Sequence, residues 1–114
     1  MIILSKPTTK TDILKTATCL MGSDMIKAVA DVERDLIAVD AELHADLEQL
    51  LLQDGSKQQD LWGFNLYLTE EDQEDFIEFD SLINIRPSQN NRSRNVEDPE
   101  IRKKITELVD KWIS

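Results

Sequence analysis

The start of the chain carries apolar residues at helical spacing. In "TTKTDILKTATCLMG", Thr9 is a candidate N-cap with Asp12 three residues later, and Gly22 follows as a stop signal. The apolar positions between these signals recur every three or four residues: Ile13, Leu14, Ala17, Leu20 and Met21. This spacing predicts an amphipathic N-terminal helix.

The end of the chain shows the same period with stronger boundary signals. In "VEDPEIRKKITELVDKWIS", Asp98 suits the N-cap, Pro99 the first helical position and Glu100 the first turn. The apolar residues on one face of this segment are Ile101, Ile105, Leu108, Val109, Trp112 and Ile113. The sequence therefore predicts a capped C-terminal helix with one apolar face.

The middle segment "IKAVADVERDLIAVDAELH", residues 26–44, fits two periods. The helical interpretation uses the spacing of Val29, Val32, Leu36, Val39 and Leu43. The hairpin interpretation uses the strict alternation of Ile37, Val39, Ala41 and Leu43 with polar or small residues. Periodicity alone leaves both open. Beyond this segment, "ADLEQLLLQDG" predicts a short helix that begins near Asp46 and ends at Gly55.

Two later segments alternate with period two, as half-buried strands do. "DLWGFNLYL" places Trp62, Phe64, Leu66 and Leu68 on one face, and "FIEFDSLINIRP" alternates as far as Pro87, which lacks a backbone donor. The acidic segment "TEEDQED" connects this predicted antiparallel pair. Residues 1–114 are thus expected to form a single α+β domain. We expect an antiparallel sheet of about four strands, with N-terminal, short central and C-terminal helices packed on one face.

Composition and charge exclude several classes of function. The net charge of −10 argues against a nucleic-acid partner, because a polyanion requires a basic face. No apolar run is long enough to span a bilayer and the start does not resemble a signal peptide, so we expect no membrane partner and a cytoplasmic location. One cysteine, Cys19, and one histidine, His44, cannot build a zinc site within one chain. Our expectation is that the protein uses no metal and no cofactor.

The charge is distributed unevenly. Residues 66–80 hold seven acids and no base, whereas residues 83–95 hold three arginines and no acid. Neighbouring blocks of opposite sign usually compensate each other on a folded surface, and less often mark a partner site.

Three motifs resemble those of a small prokaryotic family catalogued as a domain of unknown function: ELHAD, DGSKQxDLWG and INIRPSQxNRS. The likeness covers about residues 25–105. In that family, a glycine follows the position of Arg34 and glycine occupies positions near Asp40, where this chain has Asp35 and Asp40. Glycines at such positions fit a hairpin turn better than a helix, so the resemblance favours a hairpin for residues 26–44. It implies a fold and supplies no reaction.

Candidate catalytic residues come from the polar faces of the predicted strands. Asp40, Glu42 and His44 would share one face of a strand over residues 36–44, and a later strand would align Glu78 and Asp80 with Asn84 and Arg86. If these faces were adjacent, His44, Glu42, Glu78 and Asp80 could perform acid–base chemistry or hold a hard cation. The simpler interpretation is that these residues form the solvated face of an antiparallel sheet, with His44 at a helix junction.

Candidate ligand-binding residues lie in "NIRPSQNNRSR", residues 84–94, which we call the arginine loop. Arginine captures carboxylate or phosphate through two parallel hydrogen bonds, and the loop leads to the N-terminus of the last helix. The predicted anion-binding residues are Arg86, Asn91, Arg92, Ser93 and Arg94. The alternative is that these arginines pair internally with the acids that precede them, which would make the loop a structural brace.

Two functional hypotheses follow from these features. The first is a small acidic module without catalysis, which contacts a protein partner or a second copy of itself through a sheet edge or the arginine loop. The second is an enzyme or small-ligand binder that holds an anion with the arginine loop beside the His44 and carboxylate face. The second hypothesis requires those side chains to converge.

Overall fold

The computed structural model describes residues 1–4, 6–16, 25–68 and 76–114, and their alternating segments form one antiparallel sheet. Its strands are β1 (Ile2–Ile3), β2 (Met25–Asp31), β3 (Leu36–Val39), β4 (Leu61–Tyr67) and β5 (Ile77–Glu78). They lie in the order β1-β3-β2-β4-β5. The predicted α+β class with an antiparallel sheet is confirmed. The sheet has five strands rather than about four, because the chain start contributes the short edge strand β1.

Residues 26–44 contain a hairpin, so the hairpin interpretation is confirmed and the helical one is wrong. β2 and β3 pair antiparallel from Ala28–Val39 to Asp31–Leu36. In the turn, Asp31 Oδ1 accepts hydrogen bonds of 2.9 Å from the N–H groups of Glu33 and Arg34. Asp35 and Asp40 have φ values of 57° and 73°, in the left-handed region that favours glycine. These are the positions where the family resemblance implies glycines.

Three helices in the described residues pack on the sheet: α1 (Lys10–Thr16), α2 (His44–Gln53) and α3 (Pro99–Trp112). The expectation that they share one face is wrong. Ile13 of α1 and Ile105 of α3 pack with Ala28 on one face, whereas Leu47 of α2 packs with Val29 on the other. Consecutive residues of β2 are apolar on both sides, so the sheet requires a helix on each face.

The helix boundaries follow the capping signals. Thr9 Oγ1 accepts from the N–H of Asp12 at 3.1 Å, and Asp98 Oδ1 accepts from the N–H of Glu100 at 2.9 Å. α2 begins at His44, two residues before the predicted entry at Asp46, and the chain leaves it through Gly55 with φ 107°. The predicted continuation of the first helix to Gly22, with Cys19, lies outside the described residues, as does the acidic segment 69–75.

The last predicted strand is much shorter than expected. Only Ile77–Glu78 pairs with β4, and the chain then forms two 3-10 turns, Leu82–Asn84 and Pro87–Gln89. Ser81 starts the first turn, since its Oγ accepts from the N–H of Ile83. The prediction of one polar strand face through Glu78, Asp80, Asn84 and Arg86 is therefore wrong, and Pro87 begins a turn instead of ending a strand.

The two ends of the chain are hydrogen-bonded to each other. Thr8 N–H donates to the carbonyl of Trp112 at 2.8 Å, and Ser114 N–H donates to the carbonyl of Thr8 at 2.9 Å. These bonds place α1 beside the end of α3 on the same face of the sheet. Among the helices of the described ranges, none has the length and apolarity needed to cross a bilayer.

Candidate functional site

Asn84 occupies the place that a neighbouring strand would take beside β4. Its Oδ1 accepts from the N–H of Gly63 at 2.8 Å, and its Nδ2 donates to the carbonyl of Gly63 at 2.9 Å. The buried carboxamide thus pairs with Gly63 as a strand peptide group would. A Cβ on Gly63 would lie 2.6 Å from Ser81 Oγ, so this close approach requires glycine. The motifs DLWG and INIRPSQ meet at this contact.

Asn91 organises the arginine loop from inside. Its Nδ2 donates to the carbonyls of Asn84 and Asn95 at 2.7 Å each and to that of Ser93 at 3.1 Å, and its Oδ1 accepts from the N–H of Glu97 at 2.8 Å. Because Asn91 is buried, these bonds fix the conformation of the loop. The side chain predicted to bind an anion is engaged within the chain.

Glu97 closes the loop from the outside. Its Oε2 accepts from the N–H of Arg92 at 2.6 Å and from the N–H of Ser93 at 3.0 Å. These bonds, the one from Arg92 foremost, hold the pKa of Glu97 below its ordinary value. The backbone of the loop therefore already binds a carboxylate, that of Glu97, which follows the loop in the same chain.

The three arginines point to different places. Arg86 donates to the carbonyls of Gln58 and Leu61 and lies over the Trp62 ring, with its Cζ 4.2 Å from the ring centroid. Arg94 Nε lies 2.7 Å from Asp80 Oδ1. Arg92 is exposed. Arg86 and Arg94 thus make the internal contacts expected of a brace, and the guanidinium groups do not converge on one anion. Anion binding by the loop stays a prediction.

A concave surface of about 270 Å³ lies between the start of α2 and the turn that follows Ser81. We call it the α2 cleft. It is lined by Lys27, Leu43, His44, Ala45, Ser81, Leu82, Ile83 and Arg94. His44 and Arg94, predicted for separate roles, therefore face the same cleft, whereas Arg86 is not among its lining residues.

His44 is held in the wall of the α2 cleft as a structural imidazole. It is 8% exposed, and its Nε2 lies 2.8 Å from the carbonyl of Phe64. A carbonyl only accepts, so Nε2 carries the hydrogen and donates. Burial lowers the pKa of His44, the bond to Phe64 partly opposes this effect, and the nearby Lys27 ammonium adds to it. The neutral imidazole is favoured.

A polar row crosses the sheet on the α2 side. Lys27 of β2 lies opposite Asn65 of β4, which lies opposite Glu78 of β5. Asn65 Nδ2 donates to Glu78 Oε1 at 2.8 Å, and the Tyr67 hydroxyl lies 3.1 Å from the same oxygen. Asn65 is 5% exposed, and its side chain also interacts with the His44 imidazole, which raises the pKa of that ring against the larger effect of burial. This row contains one cation, one anion and the amide between them.

The predicted catalytic candidates come together only in part. Asp80 is paired with Arg94, which lines the cleft together with His44. Glu78 accepts a hydrogen bond from Asn65 on the same side of the sheet. His44, Glu78 and Asp80 therefore belong to one region. Glu42 does not share their face, because β3 ends at Val39 and Glu42 lies exposed in the turn before α2. The predicted strand face of Asp40, Glu42 and His44 is therefore wrong.

Several cleft residues were not singled out from sequence. Lys27 and Ser81 are polar residues beside apolar ones, and this is the only signal that the sequence gives for them. Leu43, which both interpretations of residues 26–44 group with apolar positions, is exposed, and so is Leu82. In the described ranges, no group of three or more His, Cys, Asp or Glu residues is arranged to hold a metal ion.

Fold and site define a small α+β domain in which a loop of amides and arginines braces the edge of an antiparallel sheet. A family model described as Protein of unknown function (DUF5674) matches residues 2–112, and the chain belongs to this family. The resemblance drawn from the sequence motifs is thereby confirmed. No curated protein and no solved structure matches the chain.

Proposed function

We propose that this domain is a binding module without catalytic activity, and that the α2 cleft is its contact surface for a protein partner. The observation that carries the proposal is the exposure of two leucines beside the cleft. Leu82 is 69% exposed and Leu43 is 59% exposed, and both line the cleft. Large apolar side chains exposed together at a concave surface are typical of interaction sites.

The bonding of the polar groups supports binding over catalysis. Ser81 Oγ accepts from the N–H of Ile83 at 3.3 Å, which keeps it in a capping role. Asp80 is paired with Arg94 at 2.7 Å, and His44 Nε2 is engaged by the Phe64 carbonyl. A general base needs a free acceptor beside the proton that it removes. Ser81 and Asp80 are engaged within the fold, and His44, held through Nε2 in a buried position, retains only Nδ1 for that role.

Local charge suggests the chemistry of the partner. The chain as a whole is strongly acidic, yet the described residues that line the cleft include Lys27 and Arg94 and no carboxylate. A partner segment that presents an apolar side chain next to a carboxylate would match the leucines and the Lys27 ammonium, since Arg94 is already paired with Asp80. Long-range repulsion by the net charge of −10 would disfavour generally acidic partners, so recognition has to occur at short range.

The proposal is tested by NMR titration of the ¹⁵N-labelled domain with short peptides that contain a leucine beside a carboxylate. We expect the amide signals of Leu43, His44 and Leu82 to shift. Leu82→Ser should weaken binding about tenfold or more, because a buried leucine contributes roughly 1.5–3 kcal/mol. Leu52→Ser is the matched control, since Leu52 is an exposed leucine of α2 that does not line the cleft.

The result that contradicts the proposal is equally specific. Peptides that shift no cleft amide, or that bind equally to wild type and Leu82→Ser, would rule out the cleft as the contact surface. Light scattering tests a second copy of the chain as the partner. A dimer that Leu82→Ser dissociates would assign the cleft to self-association instead of peptide binding.

A small anionic ligand is the second candidate, and one observation favours it. His44 and Arg94 line one cleft with Asp80 beside them, so part of the predicted convergence occurs. The volume of about 270 Å³ lies just below the roughly 300–1,000 Å³ of ordinary ligand pockets, which is why we rank this candidate second. Thermal-shift measurements with nucleotides, phosphate and divalent ions test it, because a ligand of the folded state raises the melting temperature.

A further inference from the structure

We infer that the α2 cleft recognises the C-terminal carboxylate of a partner chain, with Lys27 and the first turn of α2 as the carboxylate subsite and the two exposed leucines around the last side chain. This inference rests on the proposed function, because it specifies which part of the partner enters the cleft. A chain terminus combines a carboxylate, a backbone N–H and one side chain within a single residue, and its capture is a recurring mode of peptide recognition.

The first support is the position of Lys27. It lies in the middle of β2 on the α2 side of the sheet, partly buried, and it lines the cleft. No carboxylate of the described residues lies within 4.0 Å of its ammonium group. Because this partly buried ammonium has no counter-ion within the described ranges, an anion in the cleft would be stabilised there.

The second support is the open start of α2. Leu43 occupies the N-cap and makes no side-chain hydrogen bond, in a helix of 10 residues. The N–H of Asp46 donates to the Leu43 carbonyl at 3.1 Å, so the donors left open at this end, among the described residues, are those of His44 and Ala45. The helix dipole makes the same end favourable for an anion. Ala45 of this turn lines the same cleft as Lys27. Asp46, also in the first turn, opposes an anion, and Lys27 would offset that charge.

The third support is independent of the helix. Asn65 lies directly opposite Lys27 in the β2–β4 pair, and its Nδ2 donates to Glu78 Oε1 at 2.8 Å. The carboxylate at the far end of this polar row is therefore bonded to Asn65 and not to Lys27. Among the described residues, the row leaves the Lys27 ammonium without an acceptor. The carboxylate of a chain terminus would supply one.

The surrounding groups agree with this assignment. The Arg94 guanidinium lines the cleft and is paired with Asp80, so it adds little net charge and does not compete for the carboxylate. Leu43 and Leu82 are largely exposed at the cleft, so their side chains are available to pack against one aliphatic side chain. The expected ligand is therefore a peptide with a free C-terminus and a last residue such as leucine.

The experiment compares two short peptides of the same sequence ending in leucine, one with a free C-terminal carboxylate and one with a C-terminal amide, by isothermal titration calorimetry. With the wild-type domain, the free acid should bind about tenfold or more tightly than the amide, the usual effect of one charge-assisted interaction. Lys27→Met should reduce this ratio to near one, and Lys27→Arg should keep most of it. Lys57→Met, which removes an exposed lysine outside the cleft, should leave the ratio unchanged.

The outcomes separate this inference from the proposed function. Equal binding of acid and amide by the wild type would overturn the carboxylate subsite while leaving peptide docking intact. A ratio that survives in Lys27→Met would also overturn it. Failure of both peptides to bind would overturn the subsite and count against the proposed function together. If Lys27→Met does not fold, Lys27→Gln supplies the uncharged variant, and its fold is checked by the dispersion of its amide signals.

Discussion

Replacing Asn84 by aspartate tests whether a side-chain amide takes the place of a strand at the edge of β4. The two side chains have nearly the same shape, so Asn84→Asp changes hydrogen bonding with little change in packing. The acceptor to the N–H of Gly63 at 2.8 Å remains, but the donor to the carbonyls of Gly63 and Arg94, at 2.9 and 3.0 Å, is replaced by an oxygen. Two carbonyls would then face a carboxylate in a buried site.

The expected loss follows from these bonds. Two lost donor bonds cost about 1 kcal/mol each, and leaving the carbonyls buried opposite an ionised group adds roughly 1–3 kcal/mol, so Asn84→Asp should destabilise the domain by about 3–5 kcal/mol at neutral pH. Burial and the facing carbonyls should raise the pKa of the new carboxyl above the unfolded value of about 3.9. The penalty is then largest above the folded pKa and shrinks as the pH falls toward 4, because a protonated carboxyl can donate again.

The assay is urea unfolding followed by tryptophan fluorescence at neutral pH and near pH 4.5. Asn90→Asp is the matched control, since Asn90 is an exposed asparagine of the same loop and the change adds the same charge. We expect Asn90→Asp to stay within about 0.5 kcal/mol of wild type. An Asn84→Asp variant as stable as Asn90→Asp would show that the Asn84 amide does not take the place of a strand beside β4. A loss of stability that does not decrease in acid would show the same.

Three further predictions concern local features. Gly63→Ala should cost about 1–3 kcal/mol in chemical denaturation, and adding Ser81→Gly should recover part of it, because the new Cβ would lie 2.6 Å from the serine hydroxyl; full additivity of the two changes would contradict this. Asp35→Gly should have a free energy of unfolding about 1 kcal/mol higher than that of Asp35→Ala. Both variants lose the ion pair with Lys104, but only glycine adopts φ 57° without strain. Equal stabilities would contradict this prediction. His44 is the single histidine, so an NMR titration of its ring signal should give a pKa below 6.5, and Lys27→Met should raise this pKa by removing a nearby positive charge. Because the unfolded chain binds this proton more readily, stability should fall as the pH drops below about 6.5, and a His44 midpoint above that value would contradict this argument.

The sequence predicted those elements whose signals are local. The caps at Thr9 and Asp98, the alternation of β4 and the turn at Gly55 depend on residues close together in the chain, and the structure contains each of them. The hairpin was ambiguous from periodicity because residues that are apolar on both faces satisfy helical and extended periods alike. The left-handed backbone at Asp35 is the feature that only the family resemblance indicated.

The errors have a common physical cause. The alternation after Phe76 continues to Pro87, but the strand stops after Glu78 because Ser81 approaches Gly63 and the Asn84 carboxamide occupies the edge. Such a contact joins residues about twenty positions apart, and no period within one segment reports it. Side-chain capture of backbone groups is equally invisible in a pattern of apolar and polar positions.

The candidate site was predicted in part for the same reason. Charge blocks indicated that arginines and acids compensate each other, and Arg94 pairs with Asp80 accordingly. The other acids of that block in segment 69–75 lie outside the described residues. His44 was noticed because it is unique, whereas Lys27 is one lysine among many, and only the sheet places it opposite Asn65.

The hydrogen bonds between the two ends of the chain have a consequence for the order of folding. Thr8 and Ser114 are 106 positions apart, so their contact closes almost the whole chain into a ring. Such a contact carries a large loop-closure entropy and forms late unless the intervening structure has already brought the ends together. The β2–β3 hairpin can pair early, whereas the hydrogen bonds between the segment before α1 and the end of α3 can form only after α3 has packed on the sheet. Pulse-labelled hydrogen exchange during refolding should therefore protect the amide of Val29 before that of Thr8, and the reverse order would exclude this sequence of events.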